Sequence, residues 1–151
     1  MHDCIFCRFV TRELSCVIVY EDAEILAFLD NRPIRPGHTQ IIPKAHFETF
    51  DHLPPSLANR MMALGQRVSR RMKEVYRVER VGFLFTGGDV AHAHAHVIPL
   101  HDKTDITSAR YIVNAGQVGW DSDHLLADGK QLEQTRIGLG RIVLSESSAP
   151  G

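Results

Sequence analysis

His92-Ala93-His94-Ala95-His96-Val97-Ile98-Pro99 alternates histidine with alanine and then becomes fully apolar. Period two is a strand pattern. It puts His92, His94 and His96 on one face, with Ala93, Ala95 and Val97 on the other. Neighbouring imidazoles on that face stand about 6.5 to 7 Å apart. As a helix, the three rings would fan over about 200° and converge on nothing. Residues 90–98 are therefore read as a strand closed by Pro99.

Outward from this strand the chain reads as a meander with one long helix. Gly87-Gly88-Asp89 is a turn, preceded by a strand over 81–86. Further upstream, 17–20, 24–29 and 38–43 read as short strands, the last ending at Pro43. Between the third and fourth strands Leu57, Met61, Leu64, Val68, Met72 and Val75 recur at steps of three and four. That is the apolar stripe of an amphipathic helix over 56–76, with Ser56 as candidate N-cap. Gly65 inside it costs about 1 kcal/mol against alanine and suggests a close approach by another element. Arg110–Val113 reads as a short strand, 116–119 as a loop and 128–139 as a short helix. One domain over 1–144 is expected, with a core at 4–100, an extension at 101–144 and a mobile tail at 145–151.

The chain has 151 residues, with 44% hydrophobic and 23% charged residues, within the globular range. No run approaches the roughly 18 apolar residues of a membrane span, so no membrane partner is expected. The net charge of −1 gives no basic excess, which argues against a duplex nucleic acid partner. Met1-His2-Asp3-Cys4 carries neither a basic region nor an apolar one. Three cysteines are too few for a disulfide framework, so a reducing, cytoplasmic setting is expected.

Three imidazoles in a row could bind metal, or could act on an anion. Imidazole is a competent nucleophile near neutral pH, and the central ring could attack phosphorus while its neighbours donate to phosphate oxygens. Its other nitrogen must then be held by an acceptor, which fixes the tautomer. A histidine-rich surface strand is the bland alternative. Cys4-x2-Cys7 has metal-ligand spacing, but two nearby thiols could equally be a redox pair or simply buried. Zinc would need two more ligands to complete a tetrahedron. Cys16 reads as a small packed residue, and His38, after Pro36-Gly37, as a structural hydrogen-bonding residue of its turn.

The run His92-Ala-His94-Ala-His96-Val-Ile resembles the histidine-triad (HIT) pattern. Cys4-Ile-Phe-Cys7, Ala27-Phe28-Leu29-Asp30, Pro36-Gly37-His38-Thr39 and Ile42-Pro43-Lys44-Ala45-His46 are similar to further landmarks of that family, in the same order. The nearest likeness is to its bacterial-type nucleotide-binding branch. The resemblance implies an α+β fold, a five-stranded antiparallel sheet with one long helix, and a homodimer. It implies nucleotidyl transfer or hydrolysis at the α-phosphate of a purine nucleoside phosphate or phosphoramidate. His94 would be the nucleophile. His96 would hydrogen-bond the phosphate or assist the leaving group, and His92 would hold the pocket through its side chain while its backbone carbonyl orients the His94 ring. Asp30 matches the position that holds the ribose hydroxyls. Phe28 and Ile42 would pack against the base, with an ordinary core role as the alternative. It also implies Zn²⁺ held by Cys4, Cys7, His46 and His92, with a metal-free reduced pair as the alternative. Two departures bear on efficiency. Gly88 stands where relatives carry an amide side chain, and Asp89 where they carry a hydroxyl; a carboxylate there repels phosphate unless it turns away or is protonated. Gly87 and Gly88 could still offer backbone N–H groups to an anion.

Overall fold

A computed structural model describes residues 4–87, 89–102, 105–106, 112–114, 117–120 and 126–140. Gly88 and the expected tail lie outside these. The elements are α1 (Ile5–Val10), β1 (Ile18–Glu21), β2 (Ile25–Leu29), β3 (Thr39–Pro43), α2 (Pro55–Tyr76), β4 (Arg80–Thr86), β5 (His94–Leu100), β6 (Ile112–Asn114), β7 (Gln117–Trp120) and α3 (Gly129–Leu139). Strands β1 to β5 form one antiparallel sheet in the order β1-β2-β3-β5-β4, and β6 pairs with β7. The fold is α+β, as expected. No helix among the described residues is long and apolar enough to cross a membrane.

Strand alternation gives the sheet two apolar faces. Ile25, Ala27, Leu29, Ile41, Ala95 and Val97 meet the α2 stripe of Leu57, Met61, Leu64, Val68 and Met72. The hydrophobic effect acts over this whole contact, since each Ile, Leu, Val or Met side chain gains about 1.5–3 kcal/mol on full burial. Gly65 lets α2 come down onto β4: a Cβ there would lie 2.3 Å from the Phe83 ring. On the opposite face Leu26, Phe28 and Ile42 pack with Phe6 of α1. One carboxylate fastens the loop before β3 to the segment after β5. Asp105, fully buried, takes Arg35 at 2.7 and 2.9 Å and the backbone N–H groups of His101 and Asp102 at 2.8 Å.

Four local expectations need correction. Pro54 is the N-cap of α2 without a side-chain cap, and Pro55 and Ser56 lie in its first turn. A leading proline suits that place because its missing N–H would have no intrahelical partner. The triad strand begins at His94 rather than 90, because His92 N–H bonds Val90 O at 2.8 Å in a turn and Ala93 N–H leaves for Phe47 O at 2.6 Å. Nor does Pro99 end it. It pairs with Val81 of β4, and β3 borders β5 only as far as Val97, so the missing N–H faces an open edge. The loop expected over 116–119 is strand β7, whose Val118 and Trp120 suit a strand better than the flanking glycines suggested.

Candidate active site and metal centre

β5 and β4 build the site side by side. Their register sets His94 opposite Thr86 and His96 opposite Leu84, while β3 brings Gln40 beside His96. His94 and His96 share a face, with ring centroids 5.0 Å apart. His94 is buried at 4% exposure beneath Phe6, whose ring stands edge-on at 5.1 Å. Its Nδ1 lies 2.6 Å from the His92 carbonyl oxygen. A carbonyl only accepts, so Nδ1 carries the proton and neutral His94 keeps its lone pair on Nε2. That Nε2 lies 2.9 Å from Thr86 Oγ1, and so does Nε2 of His96.

Behind His96 stands His38, Nε2 to Nδ1 at 2.8 Å. Its own Nδ1 accepts from Ile34 N–H at 3.3 Å. Burial pushes His96 down to about 3, with repulsion from His38 and His94 added and Asp30 opposing. Burial lowers His38 in the same way, against the pull of Asp30. Both rings are therefore neutral at pH 7, and His96 offers phosphate a hydrogen bond rather than a proton. Asp30 accepts from Arg32 N–H at 2.7 Å and from Gln40 Nε2 at 2.6 Å. The Gln40 amide is thus oriented with Oε1 as an acceptor, and that atom is buried with no partner among the described residues. A cavity of about 560 Å³ between the 30–38 loop, the end of α2 and α3 counts Asp30 and His38 among its walls, but no residue of the triad.

The His92 ring does not join this face. It sits one step before the strand, fully buried, with Nε2–H donating to Pro43 O at 2.9 Å. Its Nδ1 lone pair is left facing Cys4 Sγ at 3.4 Å and Cys7 Sγ at 3.6 Å, and His46 Nδ1 lies 3.3 Å from Cys7 Sγ. These four ligand atoms lie within 4.8 Å of one another. Zinc–sulfur and zinc–nitrogen bonds of about 2.3 and 2.0 Å give tetrahedral edges of about 3.5 Å, so the donor set and spacing fit a zinc ion. The same test separates the Asp30, His38 and His96 group, where 2.8 Å between nitrogens is a hydrogen-bond distance. Burial, then the neighbouring Cys4, raises the Cys7 thiol to about 11, so a metal binding here must release protons.

The other expected residues are placed as follows. Phe28 and Ile42 are buried in the α1-side cluster, Phe28 against the rings of Phe6 at 5.6 Å and Phe9 at 5.1 Å. Gly87 and Asp89 are exposed, and a Cβ on Gly87 would meet no other described residue within 4 Å. Thr86, Gln40, Phe6 and the contact of His38 with His96 were not legible as site residues in the sequence. For Thr86 the available signal was its place two residues before the glycine pair's end, opposite the middle histidine once the strands are paired.

The HIT domain model matches residues 11–103. The chain belongs to the HIT family. Its relatives include an adenylylsulfatase of Arabidopsis thaliana, 32% identical over 107 residues, which covers 68% of this chain and 54% of that protein. Among solved structures, a hypothetical histidine triad nucleotide-binding protein of Sulfolobus tokodaii is 26% identical with a TM-score of 0.68, covering 90% of this HIT chain and 89% of that one. A zinc-bound histidine triad family protein of Mycobacterium smegmatis is 27% identical with a TM-score of 0.66, covering 91% and 94%.

Proposed function

We propose that this HIT protein is a hydrolase or transferase acting at the α-phosphate of a nucleoside phosphate or phosphoramidate. The observation that carries the reading is the 2.6 Å bond from His94 Nδ1 to the His92 carbonyl, which aims a neutral Nε2 lone pair out of the sheet beside the His96 donor. Nε2 attacks phosphorus, the bond from phosphorus to the leaving group breaks, and its electron pair departs with that group. Water then attacks the nucleotidyl-histidine and returns Nε2 to the neutral ring. Dividing one displacement into two lowers each barrier, and the preplaced His96 N–H stabilises charge on the phosphoryl oxygens.

Asp30 holds the ribose hydroxyls in this reading, and the orphan Gln40 Oε1 beside it supplies a further acceptor. Phe28 and Ile42 back the base from beneath. Gly87 and Gly88 offer N–H groups, and an exposed Asp89 is free to turn its carboxylate away from phosphate. Zn²⁺ on Cys4, Cys7, His46 and His92 is structural, because His92 links that centre to the nucleophile only through its backbone carbonyl. All three cysteines are free, in keeping with a cytoplasmic setting. A second reading, a nucleotide-binding protein with weak catalysis, is favoured by the burial of His94 and the Thr86 hydroxyl over its lone pair.

The test is turnover of adenosine 5′-phosphoramidate by the wild type and His94→Asn. The variant loses activity by about three orders of magnitude or more while still binding adenosine monophosphate. Unchanged turnover removes His94 from the mechanism, and nucleotide binding without wild-type turnover selects the second reading.

A further inference from the structure

Thr86 closes β4 and is exposed, whereas His94 beneath it is buried. Its hydroxyl is shared by two imidazole nitrogens at 2.9 Å each, and the direction of every bond in the chain can be fixed from its ends. At one end the His92 carbonyl requires the proton of His94 on Nδ1, leaving Nε2 an acceptor. At the other end Ile34 N–H points at His38 Nδ1, so the His38 proton lies on Nε2 and is donated to His96 Nδ1. His96 must then carry its own proton on Nε2. A hydroxyl has one proton to give, so Thr86 accepts from His96 and donates to His94. Reversing the chain would set a His38 Nδ1–H against Ile34 N–H.

Resting on the nucleotidyl-transfer reading above, we infer that the Thr86 hydroxyl accepts from His96 and caps the His94 lone pair in the free site, and surrenders that lone pair to phosphorus when substrate arrives. Cap and attack exclude one another, because both use the one in-plane lone pair of Nε2. Substrate therefore turns the exposed Thr86 about χ1. The displaced O–H and the freed His96 Nε2–H then both have phosphoryl oxygens as acceptors. The bond formed is Nε2–P, the bond broken joins phosphorus to the leaving group, and Thr86 keeps its proton throughout.

Long-range ¹H–¹⁵N spectra of the histidine rings in the free protein, with kcat and KM for adenosine 5′-phosphoramidate, test this in the wild type, Thr86→Ser and Thr86→Val. Wild type and the serine variant show single tautomers, Nδ1–H for His94 and Nε2–H for His96. In the valine variant both tautomers persist, because the His92 carbonyl and His38 set them, but the His94 Nε2 resonance moves downfield as its hydrogen-bond donor is lost, and kcat falls about tenfold or more, with KM little changed. A His94 Nε2 resonance unmoved in Thr86→Val overturns the inference, and so does wild-type kcat in that variant. Thr86→Ala supplies a second side chain without the hydroxyl should valine disturb the fold. The ring spectra are read without nucleotide, so they judge Thr86 even if the wild type turns over no phosphoramidate and the transfer reading fails.

Discussion

His96 and His38 are imidazoles whose burial outweighs the attraction of Asp30, and this makes the folded protein the poorer proton binder. For His96 the folded value is about 3 against an ordinary 6.5. Between those values the unfolded chain holds more protons than the native one, so stability rises with pH across that window and is lost as acid is added. Urea unfolding at pH 4.5 and pH 7.5 should show the lower midpoint in acid. In His38→Gln the difference should shrink, because the substitute cannot take up a proton in either state. An equal acid dependence in the variant would assign it elsewhere. Neutral rings at pH 7 also define the chemistry: His96 can only lend its proton to a hydrogen bond.

At the scale of elements, α1 is the part least able to stand alone. Six residues are too few to propagate a helix in water, and Cys4, its N-cap, supplies no side-chain cap. What holds α1 is Phe6 in the second core cluster and the two thiols facing His46 and His92. Cys7→Ser should therefore abolish stoichiometric zinc, read by elemental analysis, and raise amide exchange over residues 5–10 while the sheet stays protected. Turnover should fall less than tenfold, since the Cys4, Cys7, His46 and His92 cluster reaches His94 only through the His92 backbone. Joint loss of metal and all turnover would instead make the reaction metal-dependent. The helix α2 was legible from its stripe because a 3.6-residue period over six turns has no other reading. By contrast α1 was not, because its sequence carries a ligand motif rather than a period.

At the scale of the whole molecule, β4 is an edge strand of the sheet, and edges left open invite pairing. Beside it Phe50 is half exposed and stacks on Phe85 at 4.5 Å. The resemblance to the histidine-triad pattern implies a homodimer, and these features would let two sheets join along β4. Sedimentation equilibrium should return twice the chain mass of 17.0 kDa, and Phe50→Asp should shift the population toward monomer. A wild type that remains monomeric at tens of micromolar would remove the dimer. Joined strands would also bring two active faces into one continuous sheet.

The alternation of His92 to Pro99 and the stripe of α2 were enough to specify strand, helix and family, because periodicity and residue chemistry are properties of the chain alone. So was the pairing of an N-terminal Cys-x2-Cys with distant histidines, through its resemblance to a known ligand pattern. Which imidazole does what was left to tertiary structure. The turn at 90–93 rotates His92 out of the alternation and into the cysteine cluster, leaving its carbonyl, not its ring, at His94. Thr86, His38 and Gln40 join the site only through strand register and burial. Such contacts link residues 8 to 58 positions apart, and no local pattern encodes them.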